Sequence, residues 1–275
     1  MHTVCVGDAL LDLVVAVPHG LRTDDDSEAR IDVRPGGQGA NVAAWLVALG
    51  GAASLVGPVC ESAAGRLVAD GLAASGIALL GVAAERTGTV ISVSADGMRT
   101  LLTDPGDQGW VDRLEPVTLP AADCLHLSGY VVLRSSDLTT LRAWCAAARS
   151  RGATVSVDLA AATLVQRYGA ERLQRALVGL RPTVVFGNAA EWDALGLDPR
   201  RAPFDAVCKR GADGVEVVWA GIAQTLAART GPVVDTTGAG DAFAAGYLLG
   251  GPELGLTTAA RCVASLGAQP PRPAS

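Results

Sequence analysis

Lysine is almost missing from this chain: Lys209 is the only one in 275 residues, and arginine supplies the rest of the fixed positive charge. Chemistry that needs a side-chain amine has a single candidate. Charge of either sign is scarce, at 18% of residues with a net of -6, which leaves no basic surface to neutralise a nucleic-acid backbone or coat an anionic membrane. Neither is an expected partner. No C-x-x-C pair occurs among Cys5, Cys60, Cys124, Cys145, Cys208 and Cys262, which sit mostly in apolar runs. They read as buried, reduced thiols rather than a zinc site or a disulfide framework. Charges interrupt every apolar run before it reaches bilayer length, and the N-terminal MHTVCVGDALLDLVV lacks the basic flank of a signal peptide. A cytoplasmic protein is expected. Aromatic residues are few as well, with three tyrosines, three phenylalanines and five tryptophans, so stacking on a base has little to draw on.

What abounds is apolar surface. Hydrophobic residues make up 49% of the chain, enough to fill one large α/β domain or a domain with a small appendage. Much of that fraction is alanine, which favours helix everywhere and blunts periodicity as a guide. Short strand-like runs still stand out: TVCVGD at 3–8, ASLVGPV at 53–59, CLHLSG at 124–129, TVSVDL at 154–159, TVVFGN at 183–188 and AVCKRG at 206–211. Helical patterns fall between them, at about 39–49, 62–75, 136–150, 170–179 and 189–195. The alternation predicts a mostly parallel sheet with helices on both faces, whose ligands bind at the carboxyl ends of the strands. Asp8, Ser128, Asp158, Asn188 and Arg210 stand at those ends.

Residues 12–34 and 87–104 break the alternation, since they read as strands without helices, with a two-residue hairpin signal at Asp96-Gly97. They form either a small separate layer acting as a lid over a site at the strand ends, or an edge extension of the main sheet. No internal repeat is present, and the proline-rich tail QPPRPAS reads as frayed.

Two glycine-rich stretches carry the chemistry. In DTTGAGDAF at 235–243, glycines precede a helix read over 242–249, leaving N–H groups uncovered at its positive end, which is a site for an anion. Asp241 at that junction is either a cap or, beside a phosphate, a base that takes a proton from an attacking hydroxyl. In RPGGQGANVAAWLVALG at 34–50, Gly36, Gly37 and Gly39 allow close backbone approach and Asn41 projects from a helix too apolar to be exposed. It is neither a phosphate loop, for want of a following lysine, nor a dinucleotide fingerprint, for want of the third glycine.

GGQGANVA followed by DTTGAGDAF resembles the two signature regions of the ribokinase-like, phosphofructokinase-B type carbohydrate kinases, a likeness running from Gly7 to about Gln269. It implies a three-layer α/β/α sandwich with a mostly parallel central sheet and a small β-sheet lid, in a single kinase domain over 1–275. GDALLD looks like the family's first strand with its sugar-contacting aspartate, here Asp12. NAAE at 188–191 fits its N-x-x-E, acting on magnesium and phosphate through water; KRGADGV at 209–215 fits the strand and turn that line the nucleotide; LGAQP at 266–270 fits the segment near the adenine and the monovalent-ion site.

The resemblance implies transfer of the γ-phosphate of ATP to a hydroxyl of a small sugar or sugar-like substrate. Asp241 would be the base, and Gly238, Ala239 and Gly240 the anion hole. Asp12, Gly36, Gly37, Gln38 and Asn41 would bind the acceptor. Asn188, Glu191, Lys209, Arg210, Gly211 and Gly240 would serve the nucleotide, with Glu191 holding Mg2+ through water. Asp235 is either structural or a ligand for a monovalent cation such as K+, and Asp158 has a secondary role near the phosphates. A homodimer through the lid is expected in such a family. Ribokinases usually carry a lysine where Gln38 stands and a glutamate near the end of the strand that here reads HLSGY, so ribose itself is not implied. A nucleoside kinase of the same fold, or a non-catalytic binder of sugar or nucleotide, are the alternatives.

Overall fold

The computed structural model describes residues 1–95, 98–115 and 117–271. The hairpin turn expected at Asp96-Gly97 and the end of the proline-rich tail, residues 272–275, lie outside the described residues.

The strands are β1 His2–Val6, β2 Leu10–Val17, β3 Arg30–Gly36, β4 Ala52–Val59, β5 Ala78–Ala83, β6 Thr89–Ala95, β7 Met98–Asp104, β8 Cys124–Ser128, β9 Thr154–Asp158, β10 Val184–Asn188, β11 Asp205–Lys209, β12 Val215–Trp219 and β13 Ile222–Leu226. Nine of them form one sheet in the order β13-β12-β11-β10-β9-β8-β1-β4-β5. From β11 to β5 every pairing is parallel; the β11-β12-β13 edge is antiparallel. All six runs read as strands lie in the parallel part. The last two strands and β5 were not legible as separate elements, because short apolar runs carry no sheet order of their own.

The parallel strands are buried on both faces, as a sheet covered on both sides requires, with β8 and β9 polar on one of them, where His126 and Ser156 share a hydrogen bond. One face, with Cys5, Leu55, Val184, Phe186 and Val207, packs on α1 Gln38–Ala48 and α8 Ala239–Val263. The other, with Val4, Val6, Leu127, Val157 and Val185, packs on α3 Gly129–Arg134, α4 Thr139–Ser150, α5 Ala162–Tyr168, α6 Ala170–Leu180 and α7 Ala189–Leu195, with α2 Ala63–Ala74 on the first side. Trp45 is fully buried in the first core. α8 runs past the expected end at 249 because Gly250 and Gly251 kink it and Pro252 restarts it. No helix among the described residues is long and apolar enough to cross a membrane.

The two excursions do form a separate layer rather than an extension of the large sheet. Their four strands pair in the order β3-β2-β6-β7, with β2 antiparallel to β3, parallel to β6, and β6 antiparallel to β7. One row of this sheet, Val33, Leu13, Ile91 and Leu102, is apolar across all four strands. Val33 and Leu102 are exposed. Asp12 and Arg34 face each other on the opposite side.

Candidate active site

Three chain segments converge at the carboxyl ends of the parallel strands. The first is the glycine turn before α1. Gly37 caps that helix with φ +97°, a conformation costly for any residue with a side chain, and an added Cβ would lie 2.5 Å from the carbonyl oxygen of Asp8. At Gly36 an added Cβ would lie 2.1 Å from the Asp12 carboxyl carbon. The pair of glycines therefore seats both aspartates against the helix start. Burial pushes the Asp12 carboxyl up to about 7, tempered by the Arg34 guanidinium.

The second segment is the turn before α8. Gly238 takes the left-handed conformation at φ +74°, and Ala239 and Gly240 already belong to the first turn, three residues earlier than the sequence suggested. First-turn N–H groups have no acceptor inside their own helix, and the Ala239 N–H reaches the Thr236 carbonyl only at 3.4 Å. The positive end of α8 is thus open to an anion. Asp241, also in that turn, accepts a hydrogen bond from Asn41 Nδ2 at 2.8 Å, which joins α1 to α8. Burial raises its carboxyl to about 7; the Asn41 bond works against that, and the Asp158 charge adds to it. Asn41 Oδ1 is buried and unpartnered.

The third group stands at the ends of β9, β10 and β11. Lys209 Nζ donates to Asp158 Oδ2 at 2.7 Å. Asn188 and Glu191 form a reciprocal capping box on α7: the Glu191 N–H donates to Asn188 Oδ1 at 2.9 Å, and the Asn188 N–H and Nδ2 donate to the two Glu191 oxygens at 2.8 and 2.7 Å. Burial, then the Asp158 charge, raises the Glu191 carboxyl to about 7. Arg210 is not brought into this group. Its side chain lies on the other face of the sheet, paired with buried Glu216. Gly211 begins the turn to β12 at φ +60° with open space beside it.

Asp235 is buried below the α8 turn and staples it. Its Oδ1 accepts from the Thr237 N–H at 2.9 Å and Thr237 Oγ1 at 2.6 Å, and its Oδ2 from the Gly267 N–H at 2.9 Å. Residues 235–238 and the 264–270 segment are tied together by this one carboxylate. Among the described residues, no group of three or more His, Cys, Asp or Glu side chains converges on a single metal position.

The Gln38 side-chain carbonyl accepts a hydrogen bond from Ser128 Oγ at the start of α3. That bond joins Gln38 to the end of β8. Two further residues of the cleft floor had no sequence signal. Arg134 donates to Asp8 Oδ2 at 2.8 Å and covers the Tyr130 ring, 4.7 Å from its centroid. Burial raises the Asp8 carboxyl, and Arg134 opposes that.

The chain matches the pfkB family carbohydrate kinases over residues 2–269. It is 28% identical to a fructokinase of Klebsiella pneumoniae over 272 residues, covering 89% of this chain and 82% of that one. It is 32% identical to an ATP-dependent ribose-1-phosphate kinase of Halopiger xanaduensis over 261 residues, covering 90% and 84%. Its fold resembles a sugar kinase of Pyrococcus horikoshii solved in complex with ATP, with a TM-score of 0.77, 19% identity and coverage of 98% and 95%. It also resembles phosphofructokinase-2 of Escherichia coli solved with potassium, with a TM-score of 0.73, 20% identity and coverage of 98% and 94%. Family match and fold agree over nearly the whole length, and the chain belongs to the pfkB family of carbohydrate kinases as a sugar or nucleoside kinase.

Proposed function

We propose that the protein transfers the γ-phosphate of ATP to a hydroxyl of a small, sugar-like polyol, with Asp241 as general base. The hydrogen bond from Asn41 to Asp241, at the open positive end of α8, carries this reading. It fixes a carboxylate whose proton affinity suits work near neutral pH beside the place where a phosphoryl group would sit. The acceptor lies between Asp12, Gly36, Gly37 and Asn41, where the unpartnered Asn41 Oδ1 can accept a hydrogen bond from a substrate hydroxyl. As that hydroxyl attacks, Asp241 takes its proton, and the N–H groups of Gly238, Ala239 and Gly240 receive the charge gathering on the phosphoryl oxygens.

Magnesium entering with the nucleotide would neutralise the phosphates, its waters held by Glu191 and Asn188. That fits an ion that keeps its hydration shell and a Glu191 whose oxygens are already shared with Asn188. Asp235, whose carboxylate ties residues 235–238 to the 264–270 segment, would hold a potassium ion against that segment. The Tyr130 ring is covered by Arg134, which favours a polyol over a stacked nucleobase. The chain is read as one kinase domain whose small sheet serves as a lid; the apolar row through Val33 and Leu102 is the surface on which two lids would pair into a homodimer. Six free cysteines fit a cytoplasmic setting.

A coupled ADP-release screen over pentoses, hexoses, keto-deoxy acids and nucleosides tests the reading. ADP release that depends on a polyol is expected. Turnover confined to nucleosides overturns the acceptor class, and none with any acceptor overturns the enzyme.

A further inference from the structure

Lys209, the only lysine of the chain, ends β11 on the face of the sheet that carries α8. Its side chain keeps 17% of its surface open while its counter-ion Asp158 keeps 1%, so the lysine is the more accessible member of the pair. A Cβ added to Gly240 would lie 3.1 Å from Nζ. The ammonium therefore sits directly against the α8 turn, in space left by that missing side chain. An ammonium has three N–H donors, and among the described residues Nζ hydrogen-bonds to Asp158 alone.

The neighbouring cations are committed elsewhere: Arg134 to Asp8, Arg34 to Asp32, and Arg210 to Glu216 across the sheet. Burial alone would push the Lys209 amine down, but Asp158 and then Glu191 more than offset it and hold the amine above its ordinary value. It stays charged at neutral pH. Three carboxylates, Asp158, Glu191 and Asp241, surround a position meant for a polyphosphate, and Lys209 is the one side-chain cation among them.

We propose that Lys209 is a catalytic residue: its ammonium hydrogen-bonds a non-bridging oxygen of the phosphoryl group in transfer, while Asp158 holds the amine in place. This rests on the kinase reading above. The bond from the γ-phosphorus to the bridging oxygen breaks as the bond to the acceptor oxygen forms. The acceptor proton goes to Asp241, ADP leaves, and Lys209 keeps its three protons throughout. Its contribution grows as charge gathers on the equatorial oxygens, so it lowers the barrier more than it tightens nucleotide binding.

A single lysine makes the test direct, because selective 15N-lysine labelling gives one Nζ signal. The probes are ADP with Mg2+, and ADP with Mg2+ and aluminium fluoride, a mimic of the transferring phosphoryl group. In the parent protein the Nζ signal should move with the second probe well beyond its response to the first. Lys209→Gln should lower kcat by about 10²- to 10³-fold, lose affinity for the aluminium fluoride complex in parallel, and keep ADP affinity within about threefold; Lys209→Arg should recover part of both losses. Equal losses for the two probes, or an Nζ signal indifferent to aluminium fluoride, would overturn the assignment. If Lys209→Gln does not fold, the parent Nζ signal alone decides. The probes contain no acceptor, so a failed acceptor screen and a failed lysine assignment are told apart.

Discussion

Replacing Asp241 by asparagine should move activity and stability in opposite directions. The carboxyl is held near 7 in the folded chain, against about 3.9 when unfolded. A folded carboxyl with a raised value adds stability that is present below about pH 4 and lost as pH rises through about 7. Fully expressed, that loss is about 4 kcal/mol; water entering the cleft and the weaker bond that a neutral amide makes with Asn41 reduce it, leaving a gain of about 1 to 2 kcal/mol for Asp241→Asn above pH 7, or a few degrees in Tm. The same change removes the proton acceptor and should lower kcat by about 10²- to 10⁴-fold, on the order of 3 to 5 kcal/mol. It should also abolish the rise of kcat/KM through pH 7. Were Asp241 only a helix cap, its loss would cost about 1 kcal/mol of stability and leave kcat nearly intact. Melting curves at pH 5 and 8, ligand titrations and kcat on one preparation decide. A folded, ligand-binding variant that turns over near the parental rate refutes the base assignment.

Gly36→Ala puts a methyl group into the Asp12 carboxyl and should cost about 1 to 3 kcal/mol while raising the KM for the acceptor and leaving that for ATP alone; an unchanged acceptor KM would remove Asp12 from the site. Potassium should raise the rate over choline at constant ionic strength, and Asp235→Ala should erase the difference; equal parental rates in both salts would exclude a functional monovalent site. Acceptor binding should slow hydrogen exchange in residues 12–34 and 87–104, and unchanged exchange there would end the lid reading.

Much of the fold was legible because a buried parallel strand is a short, nearly unbroken apolar run, and TVVFGN, with Val184 and Phe186 in one core and Val185 in the other, betrays one without help from its neighbours. The separate small sheet was legible only as one of two alternatives. Strand pairing decides between them, and pairing is set by contacts such as Asp12 with Arg34, 22 residues apart. The end of α8 was misjudged for a local reason: Gly250-Gly251 reads as a stop, yet Pro252 supplies a fixed φ from which the helix resumes.

The site divides along the same line. Its phosphate half is written in consecutive residues, since a helix start needs only glycines and a carboxylate in sequence, and 238–241 supplies them. Adjacency in sequence hid the separation of Lys209 from Arg210: successive residues of a strand point to opposite faces, so Lys209 meets Asp158 while Arg210 pairs with Glu216. The acceptor half is assembled from pairs that sequence does not join: Ser128 on Gln38, 90 residues away, and Arg134 on Asp8, 126 away. Gln38 spends its carbonyl on Ser128 and Arg134 spends charge on Asp8, so both make the floor of the pocket rather than reach freely into it. Acceptor preference should then follow the shape this floor imposes. Gln38→Ala, which breaks one strut and touches neither Asp241 nor the α8 turn, should broaden the range of acceptors while ATP affinity stays put. A variant that lost ATP affinity instead would show that the two halves are not separable.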